Sequence, residues 1–197
     1  MKEKFIDKSM SIILSNNNLS QRDIDKFRYG LEGLYLTVTK LVFIFLVALL
    51  LGILKETIIL ILIFNGIRYT GFGVHAKRSL DCLISSTLFF IIFPIMCIHL
   101  ITPLIIKYIL FFPLVLLIGI FAPSDTVKRP LKNKKKRIIY KIITIVVAII
   151  YMSLSIVIKD NTLSNSCMFA VIIQIIVMLP ITYKLFGVPY NNHKLRD

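Results

Sequence analysis

The sequence predicts an all-α integral membrane protein with about six hydrophobic helices. Its 197 residues are 57% hydrophobic and only 17% charged, and the mean hydropathy is +0.83. A soluble domain carries about 45–50% apolar and about 25% charged residues, so this composition argues against a water-soluble globule. A transmembrane helix needs about 20 apolar residues, with a lower limit near 17. Four intervals without any charged residue reach that limit: 82–106, 108–124, 142–158 and 161–183.

Two further hydrophobic intervals fall short of this length. The interval 41–54 holds 14 uncharged residues, and it suffices for a span if Lys40 extends its ammonium to the interface. The interval 57–67 holds only 11. It predicts either a helix within 55–69 that crosses at reduced depth or a re-entrant segment.

The distribution of charge predicts the topology. The net charge is +14, and the basic residues concentrate at 1–40, 68–81, 125–137 and the C-terminal tail. The connections near Lys55, Pro103 and Lys159 carry little charge. Six passes place every basic stretch on one face, which the positive-inside rule assigns to the cytoplasm. We therefore expect a multi-pass membrane protein with both termini inside; four passes with two interfacial segments is the alternative.

The first 35 residues predict two amphipathic helices that lie on the membrane surface or pack on the rim of the bundle. Asn16–Asn18 form a break between them, and Ser20 and Asp23 have the spacing of a capping box. The sequence contains no fixed-period repeat. We therefore expect a single membrane domain over 1–197, with an active-site loop at 68–82 and a basic cytoplasmic loop at 124–137.

His75 and Cys82 are the candidates for chemistry in the loop at 68–82, since an imidazole can activate a thiol as a nucleophile. On one straight helix these residues would lie about 10 Å apart along the axis, so a working pair requires a break. Ser79 is a natural N-cap for a helix that begins at Leu80. Cys82 would then lie in the first turn, where the helix dipole favours a thiolate. The alternative is that both residues are structural.

The glycines of this loop and the cysteines outside it have different predicted roles. Gly71 and Gly73 would let the chain fold back and present backbone N–H groups to an oxyanion. Cys97 and His99 are predicted to be packing residues, with a place at the outer interface as the alternative for His99 near Pro103. Cys167 is predicted to be a small buried hydrophobe. Three scattered cysteines form neither a disulfide framework nor a zinc motif, so no metal or other cofactor is predicted.

The basic run in the loop at 124–137 has three interpretations. It is a topogenic segment attracted to anionic lipid, a docking site for an acidic peptide, or a nucleic-acid contact. The last is excluded, because no aromatic residues or DNA-binding motif accompany the charges. The residues are Lys128, Arg129, Lys132, Lys134, Lys135, Lys136 and Arg137.

Two patches resemble the AgrB family, the membrane cysteine endopeptidases of peptide quorum-sensing systems in Gram-positive bacteria. The first patch is Arg68 with the run Gly-Phe-Gly-Val-His-Ala at 71–76 and Cys82 seven residues after the histidine. The second is Phe-Ala-Pro-Ser-Asp-Thr at 121–126, followed by Arg-Pro at 129–130. Phe72 and Val74 replace glycines that are common in the family, and Ser124 stands where alanine is usual.

The resemblance implies roles that spacing does not. Cys82 would be the nucleophile and His75 the general base and later acid, on the cytoplasmic side. Arg68 would orient the substrate or support the fold of the site, with Gly73 and Asp125 also in the motifs. The substrate would be an AgrD-like propeptide with an acidic tail, cleaved through an acyl-thioester and cyclised to a thiolactone or lactone. Members of the family are expected to be homodimers.

Two alternatives need no catalysis. One is a small multi-pass transporter or export component for peptides, disfavoured because Lys40, Lys107 and Lys141 only border the spans and no Asp or Glu lies within them. The other is a scaffold or sensor in which Cys82 is a redox switch.

Overall fold

The computed structural model describes residues 2–16, 20–76, 78–126, 130–190 and 192. Its described residues form eight α-helices, which confirms the predicted all-α class. The helices are α1 (Lys2–Asn16), α2 (Gln21–Leu50), α3 (Leu54–Gly71), α4 (Ser79–His99), α5 (Leu104–Phe121), α6 (Lys134–Val157), α7 (Asn161–Met178) and α8 (Pro180–Leu185).

The chain divides into two compact units, residues 1–46 and 47–197. In the first unit α1 packs on the first part of α2, where the rings of Phe5 and Tyr35 lie 5.5 Å apart. Ile6 and Met10, one turn apart on α1, are buried. Ser20 caps the start of α2, since its hydroxyl accepts the Asp23 N–H at 3.3 Å and donates to the Asp23 carboxylate at 2.7 Å.

Helix α2 combines two elements that the sequence predicts as separate. The expected amphipathic segment and the first span form one continuous helix of 30 residues, Gln21–Leu50. Lys40 lies inside this helix and does not mark a boundary. The helix ends before Gly52, whose φ of +71° belongs to the left-handed region that glycine tolerates.

Within the described residues, five helices are long and apolar enough to cross a membrane: α2, α4, α5, α6 and α7. Helix α3 is not among them, because its 18 residues include Lys55, Glu56 and Arg68. It is nevertheless a single uninterrupted helix, which at 1.5 Å per residue is about 27 Å long.

Hydrogen bonds join α3 to α4 near its start and to α6 near its end. Near its start, the Thr57 hydroxyl donates to the carbonyl of Phe90 on α4 at 3.3 Å. Near its end, the hydroxyl oxygens of Thr70 and of Thr144 on α6 lie 3.0 Å apart. Gly66, one turn before Thr70, faces Tyr151 of α6, and Arg68, three turns after Thr57, is within electrostatic range of Cys82 of α4. Helix α3 is therefore antiparallel to both of these helices.

Helix α7 forms the centre of the second unit, with 13 of its 18 residues buried. It is also the most polar of the five candidate spans, since its buried residues include Ser164, Asn165, Ser166 and Gln174. Polar and small side chains are typical of helix–helix contacts inside membranes, because lipid offers no partners for their hydrogen bonds. The other four candidate spans are at most 22% buried, which is consistent with apolar faces turned to lipid.

We expect α3 to cross the bilayer, so that Lys55 and Lys159 lie on one side of the membrane and Lys132 on the other. Three crossings by α3, α4 and α5 separate Lys55 from Lys132, whereas a re-entrant α3 would leave only two. Single cysteines at these three exposed positions, in a chain with the native cysteines replaced, report the side through labelling by a membrane-impermeant maleimide. Labelling of Lys55→Cys and Lys132→Cys from the same side would show that α3 does not cross.

Candidate active site

The candidate site begins where α3 ends. Phe72 has φ 55° and ψ −138°, and Gly73 has φ 122°. Positive φ is costly for any residue with a Cβ atom, and rarest for bulky ones. This pair of conformations turns the chain out of α3 into the irregular segment 73–76 that carries His75.

The second sequence patch pairs with this turn. The Gly73 N–H donates to the carbonyl of Ser124 at 2.7 Å, and the Ser124 N–H donates to the carbonyl of Gly71 at 3.0 Å. These two bonds form a short parallel bridge between Phe72 and Ser124. Segments about 50 residues apart in the sequence are thereby joined at the shared end of α3 and α5.

Arg68 occupies the interior of the turn. Its Nη1 donates to the carbonyl of Phe72 at 2.5 Å, and its Nη2 donates to the carbonyls of Gly73 and Val74 at 3.3 and 2.8 Å. The planar guanidinium, with its fork of five N–H donors, suits three carbonyls presented on one side of a turn. Arg68 therefore supports the fold of this segment.

The guanidinium of Arg68 is also within electrostatic range of Tyr183 and of Cys82, the candidate nucleophile.

Helices α7 and α8 hold the turn from the other side. The Val74 N–H donates to the carbonyl of Val177 at 2.8 Å, and Gln174 Nε2 donates to the carbonyl of Phe72 at 2.8 Å. The Tyr183 hydroxyl lies 2.9 and 3.0 Å from the carbonyls of Ser124 and Asp125. Burial raises the pKa of Tyr183, which keeps this hydroxyl a donor.

Sequence reasoning missed Gln174 and Tyr183. A glutamine within an apolar run of 23 uncharged residues was the available signal for Gln174, since an amide inside a membrane span must find a partner. No comparable signal marks Tyr183, because a tyrosine after a predicted span is ordinary.

Cys82 lies half-buried in the first turn of α4, and its N–H donates to the carbonyl of Arg78 at 3.3 Å. His75 is exposed and precedes this helix by four residues. The predicted break between His75 and Cys82 is therefore present. The predicted cap is wrong: α4 begins at Ser79, the extended Arg78 is its N-cap, and no side chain caps this end.

The N–H groups of Gly73 and Val74 are not available to an oxyanion, because they donate to the carbonyls of Ser124 and Val177. Gly73 is needed for space, because a Cβ atom would lie 2.7 Å from the Val177 carbonyl oxygen and closer still to Arg68 Nη1. Gly71 is likewise confined, by Gln174 Nε2 at 2.5 Å from an added Cβ.

Asp125 is 2% exposed, and its carboxylate accepts the N–H of Leu131 at 3.1 Å. Its carbonyl also accepts from Asn192 Nδ2 at 3.1 Å. Asp125 therefore ties the chain that enters α6 to the second patch, which is a supporting role.

The basic run is partly helical. Lys134, Lys135, Lys136 and Arg137 form the first turn of α6, and Asn133 caps it by accepting the Lys136 N–H at 3.2 Å. The predicted loop at 124–137 thus ends at Asn133. Lys132, Lys134, Lys135 and Lys136 are exposed, while Lys128 and Arg129 lie outside the described residues.

The remaining cysteines are more buried than Cys82. Cys97 and Cys167 are buried, as predicted, and the Ser166 hydroxyl contacts the Cys97 sulfur at 3.5 Å. His99, predicted to pack, is exposed in the last turn of α4. No three His, Cys, Asp or Glu side chains in the described ranges are placed to share a metal ion.

Comparison with known proteins identifies relatives over nearly the whole chain. Residues 6–178 match the model of the accessory gene regulator B (AgrB) family. A protein named AgrB-like from Clostridium acetobutylicum is 31% identical over 90% of this chain and 86% of its own length. Another from Clostridium beijerinckii is 34% identical (95% and 93%), and one from Listeria monocytogenes is 28% identical (86% and 83%). No solved structure matches the chain.

Gly73→Ala is expected to destabilise the second unit by at least about 2 kcal/mol, since it combines an unfavourable φ with a clash against Val177. Thermal unfolding in detergent can be followed with a thiol-reactive fluorophore that detects exposure of Cys97 and Cys167. Gly33→Ala is the matched control, because nothing lies within 4 Å of its added Cβ. Equal melting temperatures for the two variants would contradict the steric argument.

Phe72→Gly is expected to be more stable than Phe72→Ala by about 1–2 kcal/mol, because only glycine is free of strain at this φ. Both variants lose the contact of the Phe72 ring with Tyr140, whose centroids lie 5.4 Å apart. The difference in stability between the two variants therefore measures the backbone strain at position 72. The same unfolding assay applies, and a Phe72→Ala variant as stable as Phe72→Gly would show that the turn relaxes freely.

Proposed function

Because this chain belongs to the AgrB family, we propose that it is a membrane cysteine endopeptidase. Cys82 is the nucleophile with which it cleaves an AgrD-like propeptide. Family membership places the protein in the agr quorum-sensing system and in a membrane, with an AgrD-like propeptide as partner. The proposal adds the reaction, its residues and its product.

The observation that carries the proposal is the joining of the two family motifs around Arg68. One guanidinium holds the backbone that leads to His75 and also interacts electrostatically with Cys82. Because the bridge to Ser124 and the bond to Val177 restrain the same turn, the segment that carries His75 starts from a rigid support.

The reaction follows from thiol chemistry. His75 accepts the Cys82 proton, and the thiolate attacks the carbonyl at the junction between the signal sequence and the acidic tail. His75 returns the proton to the leaving amine, which releases the tail and leaves an acyl-thioester on Cys82. An internal thiol or hydroxyl of the propeptide then takes over the acyl group. Its proton passes back to the Cys82 sulfur, and a thiolactone or lactone is formed.

The cytoplasmic face is the proposed location of the site and of both termini, since the basic stretches gather there. Four cations in the first turn of α6 oppose the helix dipole, which favours negative charge at an N-terminus. Such a cluster suits an anionic partner, and the acidic tail of the propeptide is the one we propose. We also propose that the protein is a homodimer, as expected for the family.

Export of the peptide without catalysis is the second candidate. The observation in its favour is Lys107, which the sequence places at the border of a span but which is buried within the second unit. This function requires no covalent intermediate and no thiol at position 82.

Cys82→Ala and His75→Ala are expected to reduce release of the propeptide tail by about 10²–10⁴-fold or more, since they remove the nucleophile and the base. Membranes that contain each variant are incubated with the cognate propeptide, and the tail is quantified by mass spectrometry. Cys97→Ala and Cys167→Ala serve as matched controls and should cleave normally. Undiminished cleavage by Cys82→Ala would overturn the assignment.

A propeptide whose internal Cys or Ser is replaced by Ala should accumulate as a covalent adduct on Cys82, because the acyl group has no acceptor. Intact-mass analysis detects the adduct, and hydroxylamine should release it as expected of a thioester. A transporter would form no adduct with either propeptide, which distinguishes the two candidates.

A further inference from the structure

The chain that follows α8 turns back towards the second patch. Gly187 has φ +60°, its N–H donates to the carbonyl of Lys184 at 3.1 Å, and the Val188 N–H donates to the carbonyl of Tyr183 at 3.0 Å. These are the two bonds of a Schellman motif, which ends a helix and redirects the chain. The ring of Tyr190 returns to that of Tyr183, with the centroids 5.1 Å apart and the planes at 76°. This edge-to-face contact holds the returning chain against α8.

Asn192 joins the returning chain to the second patch. It is 2% exposed, and its Nδ2 donates to the carbonyls of Pro189 at 2.9 Å and of Asp125 at 3.1 Å. An amide nitrogen carries two N–H donors, so one holds Asn192 to its own segment and the other holds Asp125. The family model matches residues 6–178, so Asn192 lies outside the matched range and family membership assigns it no role.

Asp125 connects this contact to the basic run. Its carbonyl accepts from Asn192, and its carboxylate accepts the Leu131 N–H at 3.1 Å. The second bond joins the two ends of the segment 125–131, and the exposed Lys132 and the four cations in the first turn of α6 follow directly. The position of these cations therefore depends on Asp125, and that of Asp125 on Asn192.

We propose that Asn192 is a positioning residue that holds the basic run in the place where the acidic tail of the propeptide docks. The proposal rests on the function proposed above. Asn192 acts through Asp125 and touches neither the substrate nor the reacting atoms. Without its amide the basic run would have to be ordered by the arriving tail, and this ordering reduces affinity. The turn that carries His75 is held separately by Arg68, so the chemical step does not depend on Asn192.

The test measures initial rates of tail release by the full-length protein in nanodiscs of zwitterionic lipid, over a range of propeptide concentrations. For Asn192→Ala we expect KM to rise about three- to tenfold, the effect of one lost hydrogen bond, with kcat unchanged. In a second measurement, a fluorescent peptide with the sequence of the acidic tail is titrated onto each protein. Its dissociation constant should rise by the same factor, whereas a tail peptide with Gln and Asn in place of Glu and Asp should bind both proteins equally weakly.

Asn161→Ala is the matched control. The Asn161 side chain also donates an amide N–H to a backbone carbonyl, that of Leu100 at 3.0 Å, but it lies at the start of α7, away from the second patch. KM should therefore be unchanged. If Asn192→Ala does not fold, Asn192→Leu replaces it, because leucine keeps a similar volume and has no donor. Tyr190→Ala should raise KM as well, and Tyr190→Phe, which keeps the ring, should restore it.

The outcomes separate this inference from the proposed function. A wild-type protein that does not cleave the propeptide contradicts the proposed function, whatever Asn192 does. If the wild-type protein cleaves and Asn192→Ala has the same KM and the same affinity for the tail peptide, the positioning role is overturned. A lower kcat with unchanged KM also overturns it, because Asn192 would then support only the turn that carries His75.

Discussion

The candidate active site depends on the half-buried guanidinium of Arg68. At the end of α3 the chain leaves the helix through two residues with positive φ, and the carbonyls of Phe72, Gly73 and Val74 turn inward. Unpaired carbonyls at membrane depth would cost several kcal/mol each. Arg68 satisfies all three, and its own burial is compensated by the same bonds. A lysine offers no such planar fork, so this turn requires arginine.

Helix α7 supplies the second half of this support. Its buried Gln174 and the Val177 carbonyl bind the turn directly, while Tyr183 of α8 binds the second patch. Four helices, α3, α5, α7 and α8, therefore meet through hydrogen bonds between irregular backbone segments. Irregular backbone survives in a membrane only where protein encloses it, and these helices provide that enclosure. The close packing of these helices also explains why the motif contains glycine at positions 71 and 73, where a Cβ atom would have no room.

Enclosure also matters for the proposed reaction. An acyl-thioester that meets water is hydrolysed to a linear peptide, so cyclisation requires that the internal nucleophile arrive before water. Cys82 is half-buried at the start of α4, whereas His75 is exposed on the segment held by Arg68. Protein and lipid can thus shield the sulfur while the imidazole remains open to an arriving substrate.

The sequence by itself determined the helical class, most of the membrane-spanning segments, the break between His75 and Cys82 and the two motifs. These features follow from hydropathy and residue type along short stretches of chain. Only the tertiary structure decided that Gly73 donates to Ser124 and that Lys107 turns inward to Ser164. It likewise placed the N-cap of α4 at Arg78 instead of Ser79. The reason is that the partner of a buried donor lies on another helix, 50 or more residues away in the sequence. The local sequence pattern around the donor does not indicate which residue that partner is.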